Sequence, residues 1–370
     1  MKTVIPRQVL QDALSAIASL TSGRTTKPVL AGVRLSAMGT AVELCGTDGE
    51  AALKITIPAL STPKPGECVL PNDRLLSIIR ELPDVEVTLD SDDRKCAIRG
   101  EGSAFHLYTM SVADFPPMPS FDGDPDMTVD GAELRRMIGL TIYAAAKETS
   151  RYAINGILWE KTGKRLFLVA TDGRRLSRAG GPVRESKSGD FQAILPAKAM
   201  SVFERVFTPK GEDWAVQVKV MPNQVFLRSG DAMLSTVLVE GHFPKYQDVI
   251  PKGQDKRARL NRDEFLSAVR RAALLTTEES RAVKLAFDRK TLVISSQAPE
   301  QGDARVEIPI SLDGEPVEIG FNPAFLSDAL RAVPYESIFI DLQDGFKPGV
   351  LCGEDKNDFL YVVMPVSLSA

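Results

Sequence analysis

P-N-D-R-L-L-S-I-I-R-E-L, from Pro71 to Leu82, returns as P-A-K-A-M-S-V-F-E-R-V-F from Pro196 to Phe207 and again as N-P-A-F-L-S-D-A-L-R-A-V from Asn322 to Val333. The copies start at 71, 196 and 322, so the stretch recurs after 125 and then 126 residues. Such a period is too long for a solenoid unit and matches a small domain. Divided over three repeats, 370 residues leave about 123 for each, enough to bury a separate core. Repeated domains favour a ring or an array over a single catalytic cleft.

Working outward, an amphipathic helix opens each repeat. Val9, Leu10, Ala13, Leu14 and Ile17 recur at helical spacing, and Pro6 suits a first helical turn. Leu134, Met137, Ile138 and Ile142 repeat the pattern, and Phe265, Leu266, Val269 and Ala273 form the third stripe. Asn261 is placed to cap that third helix, and Asp263 and Glu264 suit the positive end of its dipole. Short β-type runs lie between the helices: A-V-E-L-C-G-T-D near Ala41, R-L-F-L-V-A-T-D near Arg165 and T-L-V-I-S-S near Thr291. After the second helix come V-E-V-T-L-D from Val85, A-V-Q-V-K-V from Ala215 and S-I-F-I-D-L from Ser337. Each copy closes on a further strand, at Phe105, Ala232 and Phe359. Pro/Asp/Gly-rich joins at Asp114–Asp126 and Phe243–Lys256 propagate neither helix nor sheet. The fold class expected is α+β, with three domains at 1–121, 127–250 and 257–370, each carrying two helices on mainly antiparallel sheet.

Hydrophobic content of 44% with 25% charged residues is ordinary for a globular protein, and a net charge of −4 argues against a simple basic nucleic-acid binder. Cys45, Cys68, Cys96 and Cys352 are scattered without a C-x-x-C pair, as in a reduced cytosolic protein. The N-terminus has no signal-peptide core and no stretch approaches ~20 apolar residues, so a cytoplasmic location is expected.

The search for chemistry returns little. His106 and His242 are the two histidines, and His106 is expected on the more exposed strand face, opposite Phe105 and Leu107. No metal-ligand cluster, phosphate loop, dinucleotide fingerprint or nucleophile elbow is present, so no catalytic residue, metal or cofactor is expected. The strongest enzyme-like feature is T-D-G-R-R-L, Thr171 to Leu176, where Asp172 could hold magnesium for phosphoryl transfer. The same Thr-Asp-Gly stands in C-G-T-D-G-E, Cys45 to Glu50, and a turn used twice is better explained by architecture. Basic residues recur on the helical segments, among them Arg7, Arg74, Arg80, Arg135, Arg136, Arg270, Arg271 and Arg331. Gathered on one side of a curved assembly, such helices give a locally positive surface that attracts phosphates without reading bases.

Several ordered motifs then converge: R-Y-A-I-N-G-I-L (Arg151 to Leu158), V-A-T-D-G-R-R-L (Val169 to Leu176), G-H-F-P-K-Y-Q-D-V-I-P (Gly241 to Pro251), I-G-F-N (Ile319 to Asn322) and Y-V-V-M-P-V-S-L (Tyr361 to Leu368). Across essentially its whole length the chain resembles the bacterial DNA polymerase III β-subunit family, the sliding clamps. The resemblance implies a head-to-tail homodimer of three-domain subunits, ring-shaped around duplex DNA, with helices lining the hole and no chemistry of its own. It implies a tether for the replicative polymerase, the clamp loader and other proteins carrying a clamp-binding motif; a clamp paralogue dedicated to a specialised polymerase is the alternative.

Carried over by position, the resemblance places DNA contacts at Arg24, Lys147, Arg151, Tyr152, Lys198 and Arg205. It places a dimer interface at Arg74, Ile78, Leu82, Phe105 and Leu107 against Leu274 and Leu275. It places a partner-peptide cleft at Ile154, Thr171, Gly173, Arg174, Arg175, Leu176, Pro244, Val249, Val362, Met364, Pro365, Val366 and Leu368. The chain departs from the family pattern at Glu148, Ala153, Asp248 and the Ser367-Leu368-Ser369-Ala370 end, which bears on partner preference and DNA contact.

Overall fold

The three quoted stretches form three ten-residue helices, each built the same way. In chain order the α-helices among the described residues are α1 (Arg7–Thr21), α2 (Asn72–Glu81), α3 (Gly131–Gly139), α4 (Ala197–Val206), α5 (Arg262–Ala272) and α6 (Pro323–Ala332). This computed structural model describes residues 1–21, 25–100, 102–148, 152–209, 211, 213–276, 282–299 and 301–367. Helices α2, α4 and α6 end alike: the N–H groups of Leu82, Phe207 and Val333 donate to the carbonyls of Ile78, Phe203 and Ala329 at 3.2, 2.9 and 3.0 Å. The three capping side chains are buried, at 4%, 2% and 1% exposure. Leu82 is therefore a core residue of its own repeat, which corrects its placement at a subunit interface.

The first helices bury their apolar stripes as the 3.6-residue period requires, with Leu10, Ala13, Leu14, Ile17 and Leu20 buried in α1. In α5 the buried stripe is Phe265, Ala268, Val269 and Ala272, so Leu266 and Ala273 lie half-buried beside it. Asn261 caps α5 by accepting from the N–H groups of Asp263 at 3.0 Å and Glu264 at 3.1 Å. Asn322 does the same for α6 through Ala324 N–H at 2.9 Å.

Each repeat opens on a strand rather than on a helix: Lys2–Pro6, Met127–Asp130 and Lys256–Asn261. Pro6 accordingly closes a strand, and α1 starts one residue later. These runs of four to six residues are too short for alternation to stand out beside the longer helical pattern. Each opening strand pairs antiparallel with the strand that follows the second helix, at Glu86–Ser91, Ala215–Val220 and Ser337–Leu342. Four further strands of each repeat form a second antiparallel sheet with one recurring order. It reads 51–58, 41–47, 32–38, 66–71 in the first repeat and 302–309, 291–298, 283–287, 317–321 in the third. In the central repeat it reads 175–182, 165–171, 156–162, 191–196.

Chain contacts group the molecule into two units. The first holds residues 1–132, 183–188 and 198–238; the second holds 133–182, 189–197 and 239–370. The central repeat thus contributes one sheet to each. In the first unit its closing strand Ala232–Val237 pairs with Ala51–Pro58 over five residues, Ala232 opposite Ile55 through Thr236 opposite Ala51. In the second unit the third repeat's closing strand Phe359–Val363 pairs with 175–179, Leu176 opposite Val362. The two ladders are the same joint made twice. No helix among the described residues is long and apolar enough to cross a membrane.

Leu82→Ala is expected to cost about 2–5 kcal/mol of folding stability, as for other buried leucines. Chemical unfolding at fixed protein concentration measures this, and a loss confined to dimerisation would return Leu82 to the interface.

Candidate functional site

The two Thr-Asp-Gly turns are superimposable in their bonding. Thr47 and Thr171 donate their hydroxyls to the carbonyls of Ala51 at 2.7 Å and Arg175 at 2.6 Å, and accept from Gly49 N–H at 3.0 Å and Gly173 N–H at 3.1 Å. Asp48 Oδ1 accepts from Glu50 and Ala51 N–H, and Asp172 Oδ1 from Arg174 and Arg175 N–H. Gly49 and Gly173 sit at φ +97° and +87°, where a side chain is disfavoured. Asp172 Oδ2 is held by Arg175 Nε at 3.0 Å, so the carboxylate considered for magnesium is engaged on both oxygens. Among the described residues no three His, Cys, Asp or Glu side chains cluster as metal ligands.

Arg175 is a hub of the second unit. Its guanidinium bonds Asp172, Asp328 Oδ2 at 2.8 Å and the Tyr143 carbonyl at 2.8 Å, and lies 4.5 Å from the centre of the Phe325 ring. Burial lowers its proton affinity, but the bond to Asp328 with the neighbouring Tyr361 and Asp172 outweighs burial and raises it, so the group stays charged. Its side chain is 9% exposed. Of the expected cleft residues, Arg175 thus braces the wall from behind. Asp328, in α6, is the partner that sequence reasoning missed, because the pair spans 153 residues.

In that second unit Leu176 and Val362 face each other across the ladder and join Ala153, Leu158, Val169, Ile194, Tyr246, Val350 and Leu360 in one buried cluster. Val239, Phe243 and Ile250 pack against it, so the second join folds over the cluster. Tyr246 is buried, which raises its phenol pKa, and its hydroxyl donates to Glu160. Ile154 and Thr171 are buried as well. Of the expected cleft residues, Ile154, Thr171, Leu176 and Val362 are therefore core. The accessible rim is Val249 at 54% and Met364 at 45% exposure, with half-buried Pro244, Pro365 and Val366 and exposed Gly173 and Arg174. The tail is pinned by its backbone: Met364 N–H donates to Arg174 O at 3.0 Å and Val366 N–H to Gly320 O at 2.8 Å. Asp248 is exposed on the short helical turn Tyr246–Val249, and Leu368 lies outside the described residues.

The basic candidates separate by environment. Within the first unit Lys198 and Arg205 lie seven apart on exposed positions of α4, on one helix face. The Lys198 ammonium is paired with Asp48. Burial raises the Asp48 pKa, but the Ala51 and Glu50 N–H groups and Lys198 outweigh it and hold the carboxyl below its ordinary value. Within the second unit Lys147 is exposed and Tyr152 is 52% exposed, with Glu148 exposed beside Lys147. Arg24 and Arg151 lie outside the described residues. Several other helical arginines serve the fold: Arg7 donates to Asp84 O, Arg136 pairs with Glu133 and donates to Gly180 O, and Arg331 pairs with Asp328.

Two of the sheet edges left without a strand partner among the described residues occupy the places that the internal ladders fill elsewhere. In the first unit Ser103–Tyr108 ends its five-stranded sheet, with Phe105 39% exposed, Leu107 half-buried, and Arg74 and Ile78 on nearby α2. His106 is exposed, and so is Phe105 on the opposite face, because an edge strand beyond the helix cover is wetted on both sides. In the second unit Gly302–Pro309 ends its four-stranded sheet. Leu275 Cδ1 lies 3.8 Å from where Gly302 would carry a Cβ, and Leu274 beside it is 79% exposed.

Comparison with known proteins gives one answer over the whole chain. Residues 1–119, 128–245 and 247–367 match the N-terminal, central and C-terminal domains of the DNA polymerase III beta subunit. The beta sliding clamp of Pseudomonas aeruginosa is 31% identical over 369 residues, covering all of both chains. That of Escherichia coli K12 is 30% identical over 369 residues, again with full coverage of both. The crystal structure of a Pseudomonas aeruginosa sliding clamp bound to griselimycin superposes with a TM-score of 0.93 at 31% identity over all of both chains.

Proposed function

We propose, from the premise that this chain belongs to the DNA polymerase III beta subunit family, that two copies close head to tail into a ring around duplex DNA. The chain has the three-domain clamp fold of that family, and it is a DNA sliding clamp, a processivity factor rather than an enzyme. Its domains are taken as 1–121, 127–250 and 257–370.

The observation that carries the ring is the joint made twice within the chain. In each, a closing strand adds to the free edge of a neighbouring repeat's second sheet. The first repeat's closing strand, Ser103–Tyr108, and the third repeat's edge, Gly302–Pro309, are the two halves of a third such joint. A head-to-tail contact of this kind either closes into a ring or grows without limit, and equal steps of six similar domains close it. By equivalence with Leu234 opposite Leu53 and Tyr361 opposite Ser177, Phe105 of one copy falls opposite Ala304 of the other. Ile78, Phe105 and Leu107 then meet Leu274 and Leu275, apolar side chains that the single chain leaves at least partly in water.

Encirclement holds the protein on DNA without tight binding, so the inner surface needs only a modest positive potential. Lys147, Tyr152, Lys198 and Arg205, with Arg24 and Arg151, are the contacts assigned to it. The rim of Val249, Met364, Pro365 and Val366 over the Leu176–Val362 floor is the docking cleft for the polymerase, clamp-loader subunits and other proteins with a clamp-binding motif. Leu368 is its last assigned residue. Met364 suits many peptide shapes because its side chain is flexible and polarizable. Asp248 disfavours peptides with acidic ends there. A replication tether of this kind works in the cytoplasm, where the chromosome is.

Replacing Leu274 and Leu275 together with alanine is expected to give a folded monomer in sedimentation velocity at low micromolar concentration; an unchanged dimer contradicts the joint. For DNA, Lys198→Ala is expected to lower the log–log salt slope of binding by about 0.9, one phosphate contact. Asp48→Asn keeps the turn's Oδ1 acceptor, frees the Lys198 ammonium and is expected to steepen that slope. An Ala variant with the parent slope removes Lys198 from the contact set.

A further inference from the structure

Phe346 is 90% exposed, the largest exposure among the chain's described large hydrophobic residues. It stands at the tip of the turn between Ser337–Leu342 and Gly349–Cys352. The turn is fixed rather than loose: Asp344 Oδ1 accepts from Phe346 N–H at 2.8 Å and Lys347 N–H at 2.9 Å. Gly345 lies so close to strand Val317–Phe321 that a Cβ there would be 2.6 Å from Glu318 O.

That contact places the turn beside the tail. Strand Val317–Phe321 pairs on one side only, with Val283–Phe287, and Glu318 and Gly320 both turn their carbonyls to its other edge. Gly320 O receives the tail at Val366 N–H, while Glu318 O, roughly 6.6 Å away along an extended strand, meets the turn. The ladder agrees, because Gly349 is opposite Val363, so the turn and the tail leave the same end of the same two strands. Met364, Val366 and Phe346 therefore lie along one stretch of surface in the second unit.

We propose that Phe346 is an additional aromatic anchor of the partner cleft. It receives a large apolar side chain that a partner peptide carries outside the residues held at Met364. Lys347, exposed at the same tip, and Arg174, exposed beside the Met364 hydrogen bond, favour a carboxylate next to that side chain. The occupant is thus an extended peptide segment with a core apolar motif and a flanking aromatic or large aliphatic residue with an acidic neighbour. Such an anchor ranks partners that share the core motif. The proposal rests on the cleft reading above.

A displayed library of random twelve-residue peptides selected on the full-length protein supplies the probes, remade with fluorescein for anisotropy. Peptides with the flanking apolar residue are expected to bind Phe346→Ala on the order of tenfold more weakly and to recover on Phe346→Trp. The same peptides with that residue changed to alanine should bind the parent and Phe346→Ala alike. Removing Val366 to Ala370 should abolish binding of both sets. If Phe346→Ala binds every peptide as the parent does while the truncation abolishes binding, the anchor is wrong and the cleft stands. If the truncated protein binds all of them as well as the parent, the cleft reading fails and the anchor with it.

Discussion

Backbone hydrogen bonding at sheet edges governs this molecule. An edge strand offers a row of unpaired N–H and C=O groups that will pair with whatever extended chain is presented. Within each unit one such edge is filled by a neighbouring repeat's closing strand, over five residues in each case. The repeats are thereby joined by the same interaction that builds each of them, so a joint is as directional as a β-ladder. The register leaves little freedom, because a one-residue slip would turn every side chain to the opposite face. Two edges of the same design are left at Ser103–Tyr108 and Gly302–Pro309, and the proposed ring pairs them between two copies.

Each internal joint also carries an ionic tie between a Thr-Asp-Gly turn and the second helix of the next repeat, and the two ties differ in kind. At the first joint Asp48 pairs directly with Lys198 of α4, whose side chain is 55% exposed. A single exposed pair contributes little, about 0–1 kcal/mol, and yields to salt. At the second joint Arg175 bridges Asp172 and Asp328 from a largely buried position under an aromatic ring. Removing one member there leaves a buried charge without its partner, which is far more costly. The second joint is also where the tail docks, so the firmer tie supports the surface assigned to partners. One turn motif thus serves two ends: it holds a lysine in an exposed pair at one site and fixes a wall at the other.

Much of the architecture was legible because it was written three times. The second helices follow the repeated stretch almost residue for residue, and the strands after them begin within a residue of the expected positions. The opening strands were not legible, since runs such as K-T-V-I-P are shorter than the window in which alternation can be told from helical spacing. Leu82 shows a second limit. Its apolar character suited an interface and a core equally, and only the burial of its counterparts Phe207 and Val333 separates the two. The cleft followed the same rule: Leu176 and Val362 were recognisable as apolar, yet which atoms reach water depends on a ladder that pairs these two residues, 186 apart in sequence, and on how the second join folds over it. The ties Asp48 to Lys198 and Arg175 to Asp328 lie 150 and 153 residues apart and leave no local signal. Phe346 left none either, because one apolar residue in a turn has no period.

The central claim is that this chain is held on DNA by topology rather than by affinity. Retention on closed circular duplex, after assembly by the cognate loader, tests it most directly when the same complexes are then cut once with a restriction enzyme. Encirclement predicts that the protein stays on the circle through gel filtration in moderate salt and is lost within minutes of linearisation, unless the ends are blocked by bulky groups. Equal retention on circular and linear DNA, with a common salt dependence, would mean ordinary electrostatic binding and would contradict the ring.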